Sequence, residues 1–201
     1  SALKRQLDTS GERLAAASGQ LSDIRKKAVD SLVVLINKAL EELNFPSDCF
    51  DIAMEADGDY SANGMDYIEF MISANQGEQA RPLAKVASGG ELSRIMLAIK
   101  SVLAESDSIH TLVFDEIDTG ISGRTAQKVS EKLAQISKTH QVICITHLAQ
   151  IASMADAHFI IEKTVNEGRT RTDIRLLEES QITGELARIL GGAVITDAVL
   201  D

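Results

Sequence analysis

Thr111-Leu112-Val113-Phe114-Asp115-Glu116-Ile117-Asp118 and, further on, Gln141-Val142-Ile143-Cys144-Ile145-Thr146-His147 are the stretches whose reading decides the fold. Each is an apolar run of strand length that ends in polar, chemistry-bearing side chains. Between them, residues 122–138 place Ala126, Val129, Leu133 and Ile136 at helical spacing, which predicts an amphipathic helix with that inner face. Upstream, Leu92, Ile95, Met96, Ile99 and Leu103 form the apolar stripe of a helix expected over 91–104. Apolar strands alternating with amphipathic helices imply an α/β layer with buried parallel strands. Downstream, a short helix is expected near 148–155. Two antiparallel strands over 157–162 and 170–177 follow, joined at Asn166-Glu167-Gly168. A last helix over 183–190 ends at Gly191-Gly192, the usual C-terminal punctuation.

The N-terminal part has a different style. Leu7, Leu14, Leu21, Ala28 and Leu35 recur every seven residues, with Leu3, Ala17 and Ile24 at companion positions. Such a seam favours a coiled-coil arm over a lone amphipathic helix lying on its own domain. Ser10 and Ser31 occupy two seam positions, and Thr9-Ser10-Gly11 is expected to break or kink the helix. From Leu32 to Leu43 the apolar residues thicken, so there the helix should dock on a globular body. Asn44-Phe45-Pro46-Ser47-Asp48 then breaks it, giving a division into a helical arm, 1–43, and a globular part, 44–201. Two strands are expected over 50–55 and 66–73, with turn chemistry between them at Asp57-Gly58-Asp59 and Asn63-Gly64.

Composition narrows the function classes. With 44% hydrophobic residues a sizeable core is possible, but 3% aromatics and no Trp make it aliphatic. A formal net charge of -10 argues against a large nucleic-acid footprint on this chain, since phosphate neutralisation needs clustered Lys and Arg. Cys49 and Cys144 match no zinc spacing and no CxxC motif. Cys144, inside an apolar run, reads as a buried small hydrophobe, which fits a reducing cytoplasm. No apolar run approaches membrane-spanning length.

Three features carry chemistry. Ser88-Gly89-Gly90-Glu91 opens a helix; two glycines let backbone N–H groups approach a ligand, and the helix start favours an anion. Alone, the segment is equally readable as a glycine-rich turn with a serine cap. Asp115 and Glu116 end an apolar strand, at the sheet edge where α/β ligand sites lie. An Asp there can hold Mg²⁺ through water, and a neighbouring Glu can orient or deprotonate an attacking water. Alone, an acidic turn reads equally well. His147 follows the second strand, where a neutral imidazole could donate to a terminal phosphate; alone, a surface or capping histidine is the commoner reading. His110, His140 and His158 lack such a setting.

The order of these features resembles the C-terminal lobe of an ABC-type ATPase head. Ser88-Gly89-Gly90-Glu91 resembles the signature loop, Asp115 the Walker B acid, Glu116 the catalytic Glu, Ile117-Asp118-Thr119-Gly120 the D-loop and His147 the switch histidine. Finer wording is similar to the RecN family of SMC-like bacterial DNA-repair ATPases. It lies in residues 83–94, in Phe114-Asp115-Glu116-Ile117-Asp118-Thr119-Gly120-Ile121, in Thr146-His147-Leu148-Ala149-Gln150, in the 163–172 hairpin arm and in residues 185–192. The resemblance implies ATP and Mg²⁺ as cofactors. Ser88, Gly89, Gly90, Glu91 and Asp118 would contact nucleotide, Asp115 the metal through water, and Glu116 and His147 would be catalytic. It implies as partners the chain's own N-terminal lobe and returning coil, a second head across sandwiched ATP, and DNA, in a cytoplasmic protein at the bacterial nucleoid. No GxxxxGK[ST] occurs, and Gly120-Ile121-Ser122-Gly123-Arg124-Thr125 has the wrong spacing and no Lys. The chain alone is therefore expected to be inactive. A transporter nucleotide-binding subunit is the alternative, although heptads and two strands stand where its helical subdomain would be.

Overall fold

The computed structural model describes residues 1–73, 77–86, 88–106, 108–166 and 169–191. The chain forms two compact units, residues 1–87 and 88–201. The helical arm is thus clustered with the first sheet.

The first unit begins with one unbroken helix, α1 (Ala2–Glu42), capped by the Ser1 side chain, which accepts from the Lys4 N–H. The expected break at Thr9-Ser10-Gly11 does not occur. A glycine costs about 1 kcal/mol against alanine in a helix interior, and the good helix formers Arg13, Leu14, Ala15, Ala16 and Ala17 sit close enough to offset it. The helix stops where Asn44 takes a left-handed φ of 68°. There the Asn44 N–H bonds to Glu41 O and the Phe45 N–H to Leu40 O, the two-bond closure of a Schellman end.

Strands β1 (Phe50–Ser61) and β2 (Gly64–Ile72) pair antiparallel, and β3 (Arg81–Pro82) adds to β2. Asp57-Gly58-Asp59 is not a turn. The strand runs through it with a register shift between Ala56 and Ser61, and the chain reverses only before Gly64. Ile36, Ala39 and Leu40 of α1 and its C-cap Leu43 are buried, as are Cys49 before β1 and Phe50, Ile52 and Ile72 of the sheet. Buried Asn37 pairs its amide with the Phe50 backbone in both directions, at 2.8 and 2.9 Å. The heptad residues Leu3, Leu7, Leu14, Ile24 and Leu35 instead stay exposed.

In the second unit, β4 (Thr111–Phe114) and β5 (Gln141–Cys144) pair parallel, Thr111 opposite Gln141 through Phe114 opposite Cys144. Helix α2 (Gly89–Leu103) precedes them and α3 (Gly123–Ile136) connects them. The inner face of α3 is as expected, with Ser130 added. The buried face of α2 is rotated: Arg94, Leu97 and Ala98 join Ile95 and Ile99 in the interior, while Leu92 and Met96 lie half-buried. The strands are covered on one face only. Leu112 and Phe114 are buried, whereas Val113, Ile143 and Ile145 are exposed, so the expectation of strands buried on both faces fails within this chain. Helix α4 (Ala149–Ala152), the antiparallel pair β6 (Phe159–Asn166) and β7 (Arg169–Leu176), and α5 (Glu179–Gly191) complete the unit. The turn residues Glu167 and Gly168, and Gly192 of the terminal glycine pair, lie outside the described residues. Cys144 is half-buried rather than buried. Among the described residues no helix is long and apolar enough to cross a membrane.

Candidate functional site

The second unit folds the start of α2 onto the turn after β4. That turn is tight: the Thr119 N–H bonds to Glu116 O at 3.0 Å, and the Asp115 carboxylate accepts from the Glu116 N–H at 2.9 Å. Glu116 itself has a φ of 57°, a left-handed conformation that costs a non-glycine residue about 1–3 kcal/mol and clusters at functional sites. Two side chains of α2 hold the turn by its backbone. Ser93 donates to Asp115 O at 2.7 Å, and Arg94 Nη1 donates to Ile117 O at 3.1 Å and Thr119 O at 2.8 Å. Burial lowers the pKa of the Arg94 guanidinium, opposed by the charges of Glu91 and Asp118.

The glycine pair is what permits this approach. A Cβ at Gly90 would lie 2.9 Å from Glu116 O and 2.9 Å from Thr119 Cβ, and one at Gly89 would collide with the Glu116 carboxylate. Ser88 is exposed and caps α2, its hydroxyl accepting from the Glu91 N–H at 3.4 Å. Capping α2 thus leaves Ser88 exposed to solvent. Glu91 stands in the first turn, half-buried.

The end of β5 closes on the same turn through Asp118, which is 4% exposed. Its Oδ2 accepts from the Thr146 hydroxyl at 2.6 Å, from the His147 N–H at 2.7 Å, and faces His147 Nδ1 at 3.0 Å. The His147 side chain is otherwise open, at 73% exposure. Burial, then the charges of Asp118 and Asp115, push the nearby Cys144 thiol up to about 12. It stays a neutral thiol there.

Thus Ser88, Gly89, Gly90, Glu91, Asp115, Glu116, Asp118 and His147, chosen from sequence, fall on three adjoining segments. Asp118 is buried, so its carboxylate serves the protein interior rather than lying open to nucleotide. Ser93, Arg94 and Thr146 were missed as functional residues. They are a cation and two hydroxyls inside motif stretches, and the helix stripe read from sequence did not turn Arg94 inward. Among the described residues no three His, Cys, Asp or Glu gather to hold a metal unaided. One exposed carboxylate, Asp115, instead fits Mg²⁺, which keeps several waters and takes its remaining ligands from phosphate.

No family model matches the chain. Over 97% of its length it is 39% identical to the DNA repair protein RecN of Bacillus subtilis (strain 168), of which it covers 36%. It is 40% identical to DNA repair protein RecN of Halalkalibacterium halodurans, again over 97% of this chain and 35% of that protein. The chain spans about a third of the length of the curated relatives it matches. Among solved structures, the Smc head domain with a coiled coil and joint from Pyrococcus yayanosii matches 92% of this chain and 34% of that one, with a TM-score of 0.61 and 17% identity. The chain is thus a sequence relative of RecN over nearly its entire length, and its fold is that of part of an Smc head domain. These similarities do not favour the transporter alternative.

Proposed function

We propose that this chain is the signature and acid-turn half of an SMC-like ATPase head that acts in recombinational repair of DNA breaks in the bacterial cytoplasm, at the nucleoid. One observation carries the reading most: the Gly89-Gly90 helix start is closed directly onto the Asp115-Glu116 turn. That packing sets an anion-binding loop and a strained, exposed carboxylate side by side.

In this reading the start of α2, where Ser88 and Gly89 are exposed, meets the terminal phosphate of a nucleotide held by the P-loop of a second head. Glu116 accepts a proton from the attacking water and orients it. Asp115 would hold Mg²⁺ through water; the bound ion neutralises charge on the phosphate oxygens. His147 faces the same phosphate from the end of β5. The P-loop, absent from this sequence, would come from an N-terminal lobe. Two uncovered apolar surfaces support that assignment. The exposed face of β4–β5 suits docking of the lobe, and the exposed seam of α1 suits a second helix of a coiled coil.

The test uses the complete protein, P-loop included. Glu116→Gln should still pair heads when ATP is added, read as a doubling of mass in solution, while turnover falls by at least about a hundredfold, the range of general-base loss. Turnover at the unmodified rate would remove Glu116 from its role. The chain by itself should turn over no ATP.

A further inference from the structure

We propose that Asp118 is a positioning residue that fixes the ring of His147 in the Nδ1–H form, leaving Nε2 as the nitrogen presented to a ligand. This rests on the ATPase reading above and revises the expected role of Asp118 as a nucleotide contact. The observation is one buried oxygen that accepts two hydrogen bonds and lies against a ring nitrogen. Asp118 Oδ2 takes the Thr146 hydroxyl at 2.6 Å, the His147 N–H at 2.7 Å and faces His147 Nδ1 at 3.0 Å. An ionised carboxylate only accepts, so a hydrogen bond across this contact requires the proton on Nδ1.

The surroundings hold Asp118 in place. Ile117 beside it is fully buried, and Arg94 binds the carbonyls of Ile117 and Thr119 on either side. Thr146 is held in turn, its oxygen accepting from the Leu148 N–H at 3.0 Å. Backbone and ring of His147 thus meet one carboxylate, so an imidazole turned over would set a ring carbon where Nδ1 now faces the charge. A carboxylate behind a working imidazole sets tautomer and orientation in just this manner.

The consequence concerns chemistry at Nε2. A neutral ring held by Nδ1–H offers a phosphate oxygen only a lone pair. It can donate there only as the imidazolium, with the second proton taken from solvent and Asp118 as the buried counter-ion. The sequence-based picture of a neutral imidazole donating to phosphate is therefore replaced. Arg94 on α2 is a charged neighbour of Asp118, and the Cys144 thiol of β5, which feels both Asp118 and Asp115, is neutral.

The test reads the ring directly, with no nucleotide present. Two-bond ¹H–¹⁵N correlation spectra of the ¹⁵N-labelled chain at about pH 8, above the ordinary histidine range, distinguish the two tautomers. The His147 signal is assigned by its loss in His147→Gln. The expected pattern is Nδ1–H, with Thr146→Val leaving it unchanged. Asp118→Ala should return the ring to the Nε2–H form that prevails in free histidine. A wild-type His147 in the Nε2–H form overturns the proposal, whether or not Asp118→Ala folds. In the complete protein, Asp118→Ala and His147→Ala should each lower kcat by about tenfold or more, and the double variant no further, since the two act as a unit. Additive losses would count against positioning. A complete protein without ATPase activity would overturn the functional reading and leave the tautomer result standing.

Discussion

Gly89 and Gly90 are neighbours in sequence but do different work, and substitution separates them. The Cβ of an alanine at Gly90 meets the carbonyl oxygens of Glu116 and Thr119, which cannot move without opening the turn. At Gly89 it meets only the far end of the Glu116 side chain. Gly90→Ala should therefore destabilise the isolated chain by about 1–3 kcal/mol, the range for overpacking a close contact, read as a drop in melting temperature. Gly89→Ala should melt within about a degree or two of the wild type, since one surface change away from backbone costs little. In the complete protein it should nevertheless abolish turnover, because Glu116 is pushed from its place. Equal melting shifts for the two would refute this division. At this scale the motif residues were legible because spacing carries them. Ser93, Arg94 and Thr146 were not, because their partners lie 22 to 28 residues away in the chain. Nothing local distinguishes an inward Arg94 on a helix from a solvated one.

Helix α1 and the β1–β2 hairpin show where local propensity misleads at the level of elements. Thr9-Ser10-Gly11 and Asp57-Gly58-Asp59 both carry breaker composition, yet one is helix and the other strand. In each, the neighbours on both sides favour continuation. Gly64, by contrast, is needed: its φ is 91°, and a Cβ there would lie 3.0 Å from Leu21 Cδ2 and 3.2 Å from Arg25 Nη1. The hairpin end therefore lies directly against α1, and a polar clamp forms there. Ser22 Oγ donates to Asp66 Oδ1 at 2.6 Å, and Arg25 Nη1 donates to Asp66 Oδ2 at 2.9 Å. The Ser22 hydrogen bond first, then that of Arg25, holds the Asp66 carboxyl below the usual carboxylate range. The folded value is depressed, so this contribution is present above the unfolded value of about 3.9 and is lost as pH falls through the folded one. The first unit should then loosen in acid, seen as rising amide exchange along 18–25 and 61–66 below about pH 4. Asp66→Asn should exchange faster at neutral pH and lose that added acid sensitivity. An unchanged acid response in the variant would assign it to other carboxylates.

For the whole molecule, the instructive failure is the expectation of parallel strands buried on both faces. Alternation within β4 and β5 could not reveal it, because Leu112, Val113 and Phe114, like Val142, Ile143 and Cys144, read as continuous apolar runs. Such runs belong to strands covered on two sides, and this chain supplies one cover. Val113 is 63% exposed, Ile143 47% and Ile145 48%. Adjacent strand ends carrying Asp115, Glu116 and His147 make this the site's own sheet. A surface so apolar is expected to meet a partner, and the relatives have about twice this chain's length again in which to supply one. Ile143→Glu separates the two environments. In the chain alone the new carboxylate reaches water, so stability should change by no more than about 0.5 kcal/mol. In the complete protein it would be buried unpaired, which drives either loss of docking or protonation of the acid. Soluble yield and ATP turnover should therefore collapse in the complete Ile143→Glu protein while the isolated chain melts as before. Gln135→Glu, at an exposed position of α3, adds the same single negative charge; it serves as the control and should leave both unaffected. A complete Ile143→Glu protein with normal yield and turnover would mean that the face stays open to water. The proposed P-loop lobe would then have to reach the acid turn by another route.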